Sequence, residues 1–118
     1  MSGKLTTHIL DTANGCPAAN IAIALWFISD LEQKTLLKTV TTNADGRTDH
    51  PLLANDQLKI GVYQLVFSVG DYFAQHSKTT EPPFLNQIPL QFGIADPNSH
   101  YHVPLLVSPW SYSTYRGS

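Results

Sequence analysis

The sequence has few charged residues. Only 14% of its 118 residues are charged, whereas roughly 25% is typical of soluble domains. Seven Lys and Arg against nine Asp and Glu give a formal net charge of −2. Binding to nucleic acid or to an anionic membrane through charge requires a basic face, so this balance argues against both partners. A small domain with so few charges often covers part of its surface with copies of itself, and we therefore expect an oligomer.

Long apolar runs and paired cysteines are also missing. The longest apolar run, residues 21–28, has eight residues, whereas a membrane-spanning helix needs about 20. The first eleven residues contain no apolar segment of the kind found in secretion signals. The single cysteine, Cys16, lies in a predicted turn and has no partner for an intramolecular disulfide. These features predict a cytoplasmic protein without membrane contact, in which Cys16 is more often a bystander than a reactive thiol.

Short β-type runs separated by Gly and Pro make up the rest of the chain. No stretch has a sustained helical period, and one short helix is predicted over residues 70–78, capped by Asp71. Pro104 removes one backbone donor from its strand, which predicts a sheet edge or a bulge there. The sequence thus predicts one all-β domain over residues 1–118, folded as a two-sheet sandwich. The predicted strands cover residues 5–11, 21–28, 35–42, 58–69, 88–94, 100–107 and 112–115.

Three histidines lie on predicted strands. Thr6, His8 and Leu10 share one face of the first strand, and His100 and His102 share one face of a later strand. A metal site normally needs three or four protein ligands, and the single cysteine adds no support, so we expect no metal. Proton transfer by one of these histidines is the better functional interpretation, because imidazole titrates near neutral pH. Taken alone, a histidine such as His8 is most often an ordinary hydrogen-bonded surface residue.

The chain ends in aromatic residues and an arginine, although termini are usually frayed and polar. A tail packed into a site and a plain edge strand with a loose end are equally good interpretations. The sequence contains neither the Gly-x-Ser-x-Gly elbow of many serine hydrolases nor a glycine-rich phosphate-binding loop. Both of those activities are therefore disfavoured.

Three blocks of the sequence resemble the transthyretin-like 5-hydroxyisourate hydrolases. The first block is Leu-Thr-Thr-His-Ile-Leu-Asp-Thr at residues 5–12, with Gly15 and Pro17-Ala18 after it. The second is Asp45-Gly46-Arg47, and the third runs from residue 100 through Ser108-Pro109 to the Tyr-Arg-Gly-Ser end at residues 115–118. Transthyretin, the hormone carrier of the same fold, lacks that ending. The resemblance covers residues 5–118.

The resemblance implies a fold, a reaction and an assembly. The fold is a transthyretin-like sandwich of about eight strands with one short helix, and the assembly is a homotetramer with active sites where two dimers meet. The reaction is hydrolysis of 5-hydroxyisourate to 2-oxo-4-hydroxy-4-carboxy-5-ureidoimidazoline in urate catabolism, with no metal or organic cofactor. The implied catalytic residues are His8, Arg47, His102 and Ser118, and the implied substrate-binding residues are His8, Arg47, Tyr115 and Arg116.

The chemistry of hydrolysis suggests roles for these residues. A neutral imidazole, either His8 or His102, takes a proton from water while the other orients the ring or the water. The guanidinium of Arg47 binds the developing oxyanion and anchors the substrate. We expect residues 115 and 116 to wall the pocket, Ser118 to fix a histidine or the water, and His100 to be structural. A carrier of a small aromatic ligand and an immunoglobulin-like interaction module are the alternatives.

Overall fold

The computed structural model describes residues 3–118 of the chain, and most of these residues lie in or between short β-strands. One α-helix, α1, covers Val69–His76, and a single 3-10 turn covers Asn55–Gln57. The predicted all-β class is confirmed. The strands are β1 Lys4–Thr6, β2 Ile9–Asp11, β3 Cys16–Pro17, β4 Ala22–Ile28, β5 Lys34–Thr41, β6 Leu53–Ala54, β7 Gly61–Ser68, β8 Gln87–Ile94, β9 His100–His102, β10 Leu105–Val107 and β11 Tyr112–Thr114.

The first layer of the fold is an antiparallel sheet with the strand order β5-β4-β7-β8. Alternation of apolar and polar residues places one face of this sheet in the core. Along β7, Tyr63, Leu65 and Phe67 are at most 1% exposed, and the residues between them are half-buried. Most of the predicted strand over residues 58–69 is thus present, with one face in the core.

The second layer consists of two short sheets, β6-β1-β9 and β11-β10-β2-β3. Residues 7–8 separate β1 from β2, and residues 103–104 separate β9 from β10. Backbone hydrogen bonds of 2.9 Å cross this gap, from the Val103 N–H to the Thr6 carbonyl and from the Leu105 N–H to the His8 carbonyl. The two predicted strands, residues 5–11 and 100–107, are therefore each broken once, at the same level of the layer.

The break in the second strand occurs at Pro104, which has no N–H to donate. The sequence predicts an edge or a bulge at this residue. In the structure, β9 before it is an edge strand of the sheet β6-β1-β9, whereas β10 after it lies between β11 and β2. Pro104 thus lies where an edge strand ends and an inner strand begins.

Apolar residues of both layers form one core. Leu5, Ile9 and Leu105 from the second layer pack in the same buried cluster as Leu25 and Leu65 from the first. Burial of each such side chain is worth about 1.5–3 kcal/mol. The arrangement is the predicted sandwich, and none of the helices in residues 3–118 has the length and apolar character needed to cross a membrane.

The structure also differs from the prediction in local detail. The predicted strand over residues 58–69 begins only at Gly61, because the 3-10 turn and the residues after it occupy the preceding segment. Helix α1 begins at Val69 with Ser68 before it, so Asp71 lies in the first turn and is not the N-cap. The two-residue strands β3 and β6 are absent from the prediction, because two residues show no periodicity.

A buried carboxylate fixes the turn after β2. Asp11 accepts hydrogen bonds from the backbone N–H groups of Ala13 and Asn14 at 3.0 Å, and from the Tyr72 hydroxyl of α1 at 2.7 Å. Burial raises the pKa of the Asp11 carboxyl, but the hydrogen bonds from Asn14, Tyr72 and Ala13 together outweigh it and lower the pKa. Helix α1 is therefore tied to the second layer through an ionised side chain.

Candidate active site

The parallel pairing of β1 with β9 brings Thr6 beside His102. The two residues are direct partners in the register, and the Thr6 Oγ1 lies 2.9 Å from the His102 Nδ1. Both side chains are half-buried, as is His8. The predicted face with Thr6, His8 and Leu10 is thus the half-buried face of the broken strand, while Thr7 and Ile9 are buried on the other side.

A tight turn over residues 43–47 docks against the same break. The Asn43 Oδ1 accepts hydrogen bonds from the N–H groups of Asp45 and Arg47, at 2.9 and 3.2 Å. Gly46 has a φ of +74°, and a β-carbon there would come 2.5 Å from the Ile9 carbonyl oxygen. Only glycine suits both constraints. Because the Ile9 N–H also bonds the Gly46 carbonyl at 2.9 Å, the turn holds Arg47 at the break in the second layer.

The ring of His8 is held by this turn. The His8 Nε2 lies 3.0 Å from the Asp45 carbonyl oxygen. A carbonyl only accepts hydrogen bonds, so Nε2 carries the hydrogen. When His8 is neutral, its Nδ1 is therefore the nitrogen with a free lone pair.

The imidazole of His102 is held in its neutral form by its surroundings. Burial lowers the pKa of His102 below the ordinary value of 6.5, and the positive charges of Arg47 and of protonated His8 lower it further. Both effects disfavour the cationic ring. The three predicted residues His8, Arg47 and His102 are thus close enough to influence one another, and His102 is unprotonated at neutral pH.

The C-terminal tail returns to His102. The Gly117 N–H bonds the His102 carbonyl at 2.7 Å, and the His102 N–H bonds the Gly117 carbonyl at 3.2 Å. A β-carbon on Gly117 would lie 3.2 Å from both Cβ and Cδ2 of His102. Gly117 is not among the glycines of residues 3–118 with positive φ, so the constraint on a side chain at this position comes from the close histidine. Ser118 follows directly and is exposed.

Tyr115 and Arg116 lie elsewhere in the single chain. The Arg116 Nη2 donates to the His100 carbonyl at 2.9 Å, and its guanidinium lies 4.3 Å from the centre of the Tyr101 ring. Tyr101 points to the opposite face of β9 from His102. Both tail residues line a cavity of about 290 Å³ beside β8. The structure therefore groups His8, Arg47, His102 and Gly117, and places Tyr115 and Arg116 in a neighbouring cavity.

Two partners of the histidines are absent from the prediction, the Thr6 hydroxyl and the Asp45 carbonyl. Thr6 had a usable signal, because it shares the face of His8, but its pairing with His102 depends on a register between distant strands. A backbone carbonyl has no signature in a sequence. Among residues 3–118, no three His, Cys, Asp or Glu side chains are grouped so as to hold a metal ion.

Comparisons with known proteins place this geometry in context. The chain is 53% identical to the 5-hydroxyisourate hydrolase of Halalkalibacterium halodurans, and the match covers 100% of both proteins. It superposes with a TM-score of 0.94 and 50% identity on a crystal structure of (S)-allantoin synthase, covering 99% of this chain and 44% of that one. It also superposes on sea bream transthyretin in complex with thyroxine, with a TM-score of 0.87, 29% identity, and coverage of 97% and 94%.

Backbone shape alone does not separate these relatives, because both superpositions are close. The family model described as the HIUase/Transthyretin family matches residues 5–117, which is nearly the whole chain. Full-length identity of 53% to a curated member supports the same assignment. The chain therefore belongs to the HIUase/transthyretin family.

Proposed function

We propose that the chain hydrolyses 5-hydroxyisourate to 2-oxo-4-hydroxy-4-carboxy-5-ureidoimidazoline in urate catabolism. The observation that carries this proposal is the grouping of His8, Arg47 and His102 at the break in the second layer, with His102 held neutral. Full-length identity of 53% to a 5-hydroxyisourate hydrolase gives independent support. A non-catalytic carrier needs no such pair of histidines beside an arginine.

In this mechanism His102 is the general base. Its Nδ1 is engaged by Thr6, which leaves Nε2 to take a proton from water as the water oxygen attacks the lactam carbonyl. A positioned base of this kind contributes roughly 10²- to 10⁴-fold to a rate. When the C–N bond of the lactam breaks, the imidazolium returns its proton to the leaving nitrogen. His102 is thus protonated once and deprotonated once within each turnover.

His8 and Arg47 act on the other atoms of the reaction. The His8 Nε2–H is bound to the Asp45 carbonyl, so its Nδ1 accepts a hydrogen bond from the attacking water or from a substrate N–H. The exposed Arg47 guanidinium donates to the carbonyl oxygen as negative charge builds on it. Removal of one such donor costs roughly 10²- to 10³-fold in kcat. Because water is the nucleophile, no covalent intermediate with the protein is needed.

The working form in this proposal is a homotetramer in the cytoplasm, with sites where two dimers meet. Strands β8 and β11 lie at sheet edges, and unpaired edges invite pairing with another chain. Tyr115 is 60% exposed and Trp110 is 55% exposed near those edges, which supports burial against another copy. In the tetramer we assign Tyr115 and Arg116 to the pocket wall and Ser118 to fixing a histidine or the water. The single cysteine supports a reducing compartment.

The test adds the protein to freshly generated 5-hydroxyisourate and follows the decay of its ultraviolet absorption against the spontaneous rate. We expect acceleration by the wild type, a large loss in His102→Asn, and wild-type rates in His100→Asn. His100 is the matched control because it lies on the same strand and only its backbone carbonyl bonds Arg116. Decay at the spontaneous rate in the presence of the wild type would overturn the hydrolase proposal, and tight thyroxine binding without hydrolysis would favour the carrier.

A further inference from the structure

We propose that Thr6 is a positioning residue for His102: its hydroxyl oxygen accepts the Nδ1–H and so keeps the Nε2 lone pair free for the proton of the reacting water. This inference rests on the proposed role of His102 as general base. It begins from the 2.9 Å separation of the Thr6 Oγ1 and the His102 Nδ1.

The two side chains are held together by the backbone on both sides. Thr6 and His102 are register partners in the parallel pair β1–β9, and the Val103 N–H bonds the Thr6 carbonyl at 2.9 Å. On its other side the His102 peptide is bonded in both directions to Gly117. Threonine is also stiff about χ1 because it is β-branched. The hydroxyl therefore stays beside Nδ1 with little freedom to leave it.

The reaction itself decides the direction of this hydrogen bond. A neutral imidazole has one N–H, and a hydroxyl either donates or accepts, so distance alone allows two tautomers. A ring that accepts a proton at Nε2 ends with N–H groups on both nitrogens. The new imidazolium then needs an acceptor at Nδ1, and the Thr6 oxygen is the atom there. With Thr6 as acceptor throughout, no hydroxyl rotation is required during the proton transfer.

A hydroxyl also suits this position better than a carboxylate. A negative partner at Nδ1 would raise the pKa of the ring, opposing the effect of burial and of Arg47 and His8, which lower it. A neutral acceptor fixes the ring and its tautomer without adding charge. Thr6 thus performs at His102 the task that the Asp45 carbonyl performs at His8, with the opposite ring nitrogen.

The test measures the tautomer of His102 directly. Protein with ¹⁵N-labelled histidine is studied by NMR at a pH where the ring is neutral, and the wild type is compared with Thr6→Val, Thr6→Ser and Thr12→Val. Thr6→Val removes the hydroxyl at nearly constant shape, and Thr6→Ser keeps it. Thr12→Val is the matched control, because its hydroxyl bonds the Val107 carbonyl at 3.1 Å, away from the histidines.

We expect the Nδ1–H tautomer in the wild type, Thr6→Ser and Thr12→Val, and a shift toward Nε2–H in Thr6→Val. The kcat of Thr6→Val should fall roughly 3- to 10-fold with KM unchanged, the factor expected for loss of one neutral hydrogen bond. An Nε2–H ring in the active wild type, or an unchanged tautomer in Thr6→Val, would overturn the inference. Failure of the proposed function looks different: the wild type would then be inactive, while the spectra would still report which atom holds the proton.

Discussion

The peptide groups of His102 and Gly117 hydrogen-bond to each other in both directions, with N···O distances of 3.2 and 2.7 Å. This bridge ties the last residues of the chain to the strand that carries the proposed base. It also explains how a terminus, ordinarily frayed, comes to lie beside half-buried side chains. The position of His102 therefore depends on Gly117, which lies outside the strands.

Replacement of Gly117 by alanine should impair catalysis more than folding. The added β-carbon would lie 3.2 Å from Cβ and Cδ2 of His102, so the ring or the tail must shift by a few tenths of an ångström. Because small misplacements of reacting groups are costly, we expect kcat to fall roughly 10- to 100-fold, as measured by steady-state hydrolysis.

Gly15→Ala is the companion variant for this test. Gly15 has a φ of +69° with open space around it, so alanine there strains the backbone without touching the site. We expect a lower melting temperature with an unchanged kcat. Equal kcat values for Gly117→Ala and the wild type would show that the bridge does not position the ring.

The pH dependence of hydrolysis should reflect the lowered pKa of His102. Burial, Arg47 and His8 hold that pKa below 6.5, so the base stays neutral and kcat/KM stays high below pH 6.5. Activity should then fall at lower pH, as the ring is protonated at its depressed pKa. The measurement is kcat/KM from about pH 4 to 8, corrected for spontaneous decay.

A variant without the neighbouring charge checks the cause of this shift. In Arg47→Gln the pKa of His102 should rise toward its ordinary value, so the acid limb should move to higher pH even though the absolute rate falls. The free energy of unfolding should also decrease as the pH falls through this range. The reason is that His102 binds a proton more readily in the unfolded chain than in the folded one. If the acid limb of the kcat/KM profile lies at the same pH in both proteins, Arg47 does not lower the pKa of His102.

Replacement of Arg47 by lysine tests the shape of its charged group. Lysine keeps the positive charge but loses the planar pair of donors. We expect kcat/KM to fall roughly tenfold to a thousandfold, with an unchanged circular dichroism spectrum. Near-wild-type kinetics would show that the guanidinium does not contact the reacting carbonyl.

Much of the fold was predictable because it follows from local patterns. Short β-type runs separated by Gly and Pro predict most of the strands, and β7 lies within one such run, with Tyr63, Leu65 and Phe67 in the core. Features that depend on distant pairing were not predictable. Nothing in the sequence around residues 7–8 predicts a break there. The two-residue strands β3 and β6 carry no periodicity at all.

The same distinction between local patterns and distant pairing applies to the candidate site. His8, Arg47 and His102 were named from motifs, and the structure groups them. The contact between Thr6 and His102 required the parallel register of two strands that are 96 residues apart in the sequence. The place of Gly117 against His102 was missed for the same reason. Tyr115 and Arg116 stay predictions as substrate-binding residues, because their cavity in one chain lies across β9 from the histidines.

Assembly is a separate prediction. Unpaired edges at β8 and β11 and exposed aromatic residues near them favour association of copies, since burial of apolar surface stabilises an interface. Light scattering should give a mass about four times 13.0 kDa. A monomer at micromolar concentration would contradict both the tetramer and a site built between dimers.

Deletion of residues 115–118 should abolish most of the activity while the fold is retained. Strand β11 ends at Thr114, and the Thr114 hydroxyl bonds the Pro104 carbonyl at 2.7 Å, so the sheet keeps its edge without the tail. What is lost is the bridge from Gly117 to His102, the two residues of the neighbouring cavity, and Ser118. Hydrolysis, circular dichroism and sizing are measured together, so that misfolding is not mistaken for loss of the active site. If the truncated protein hydrolyses 5-hydroxyisourate at the full-length rate, the tail is only the end of an edge strand.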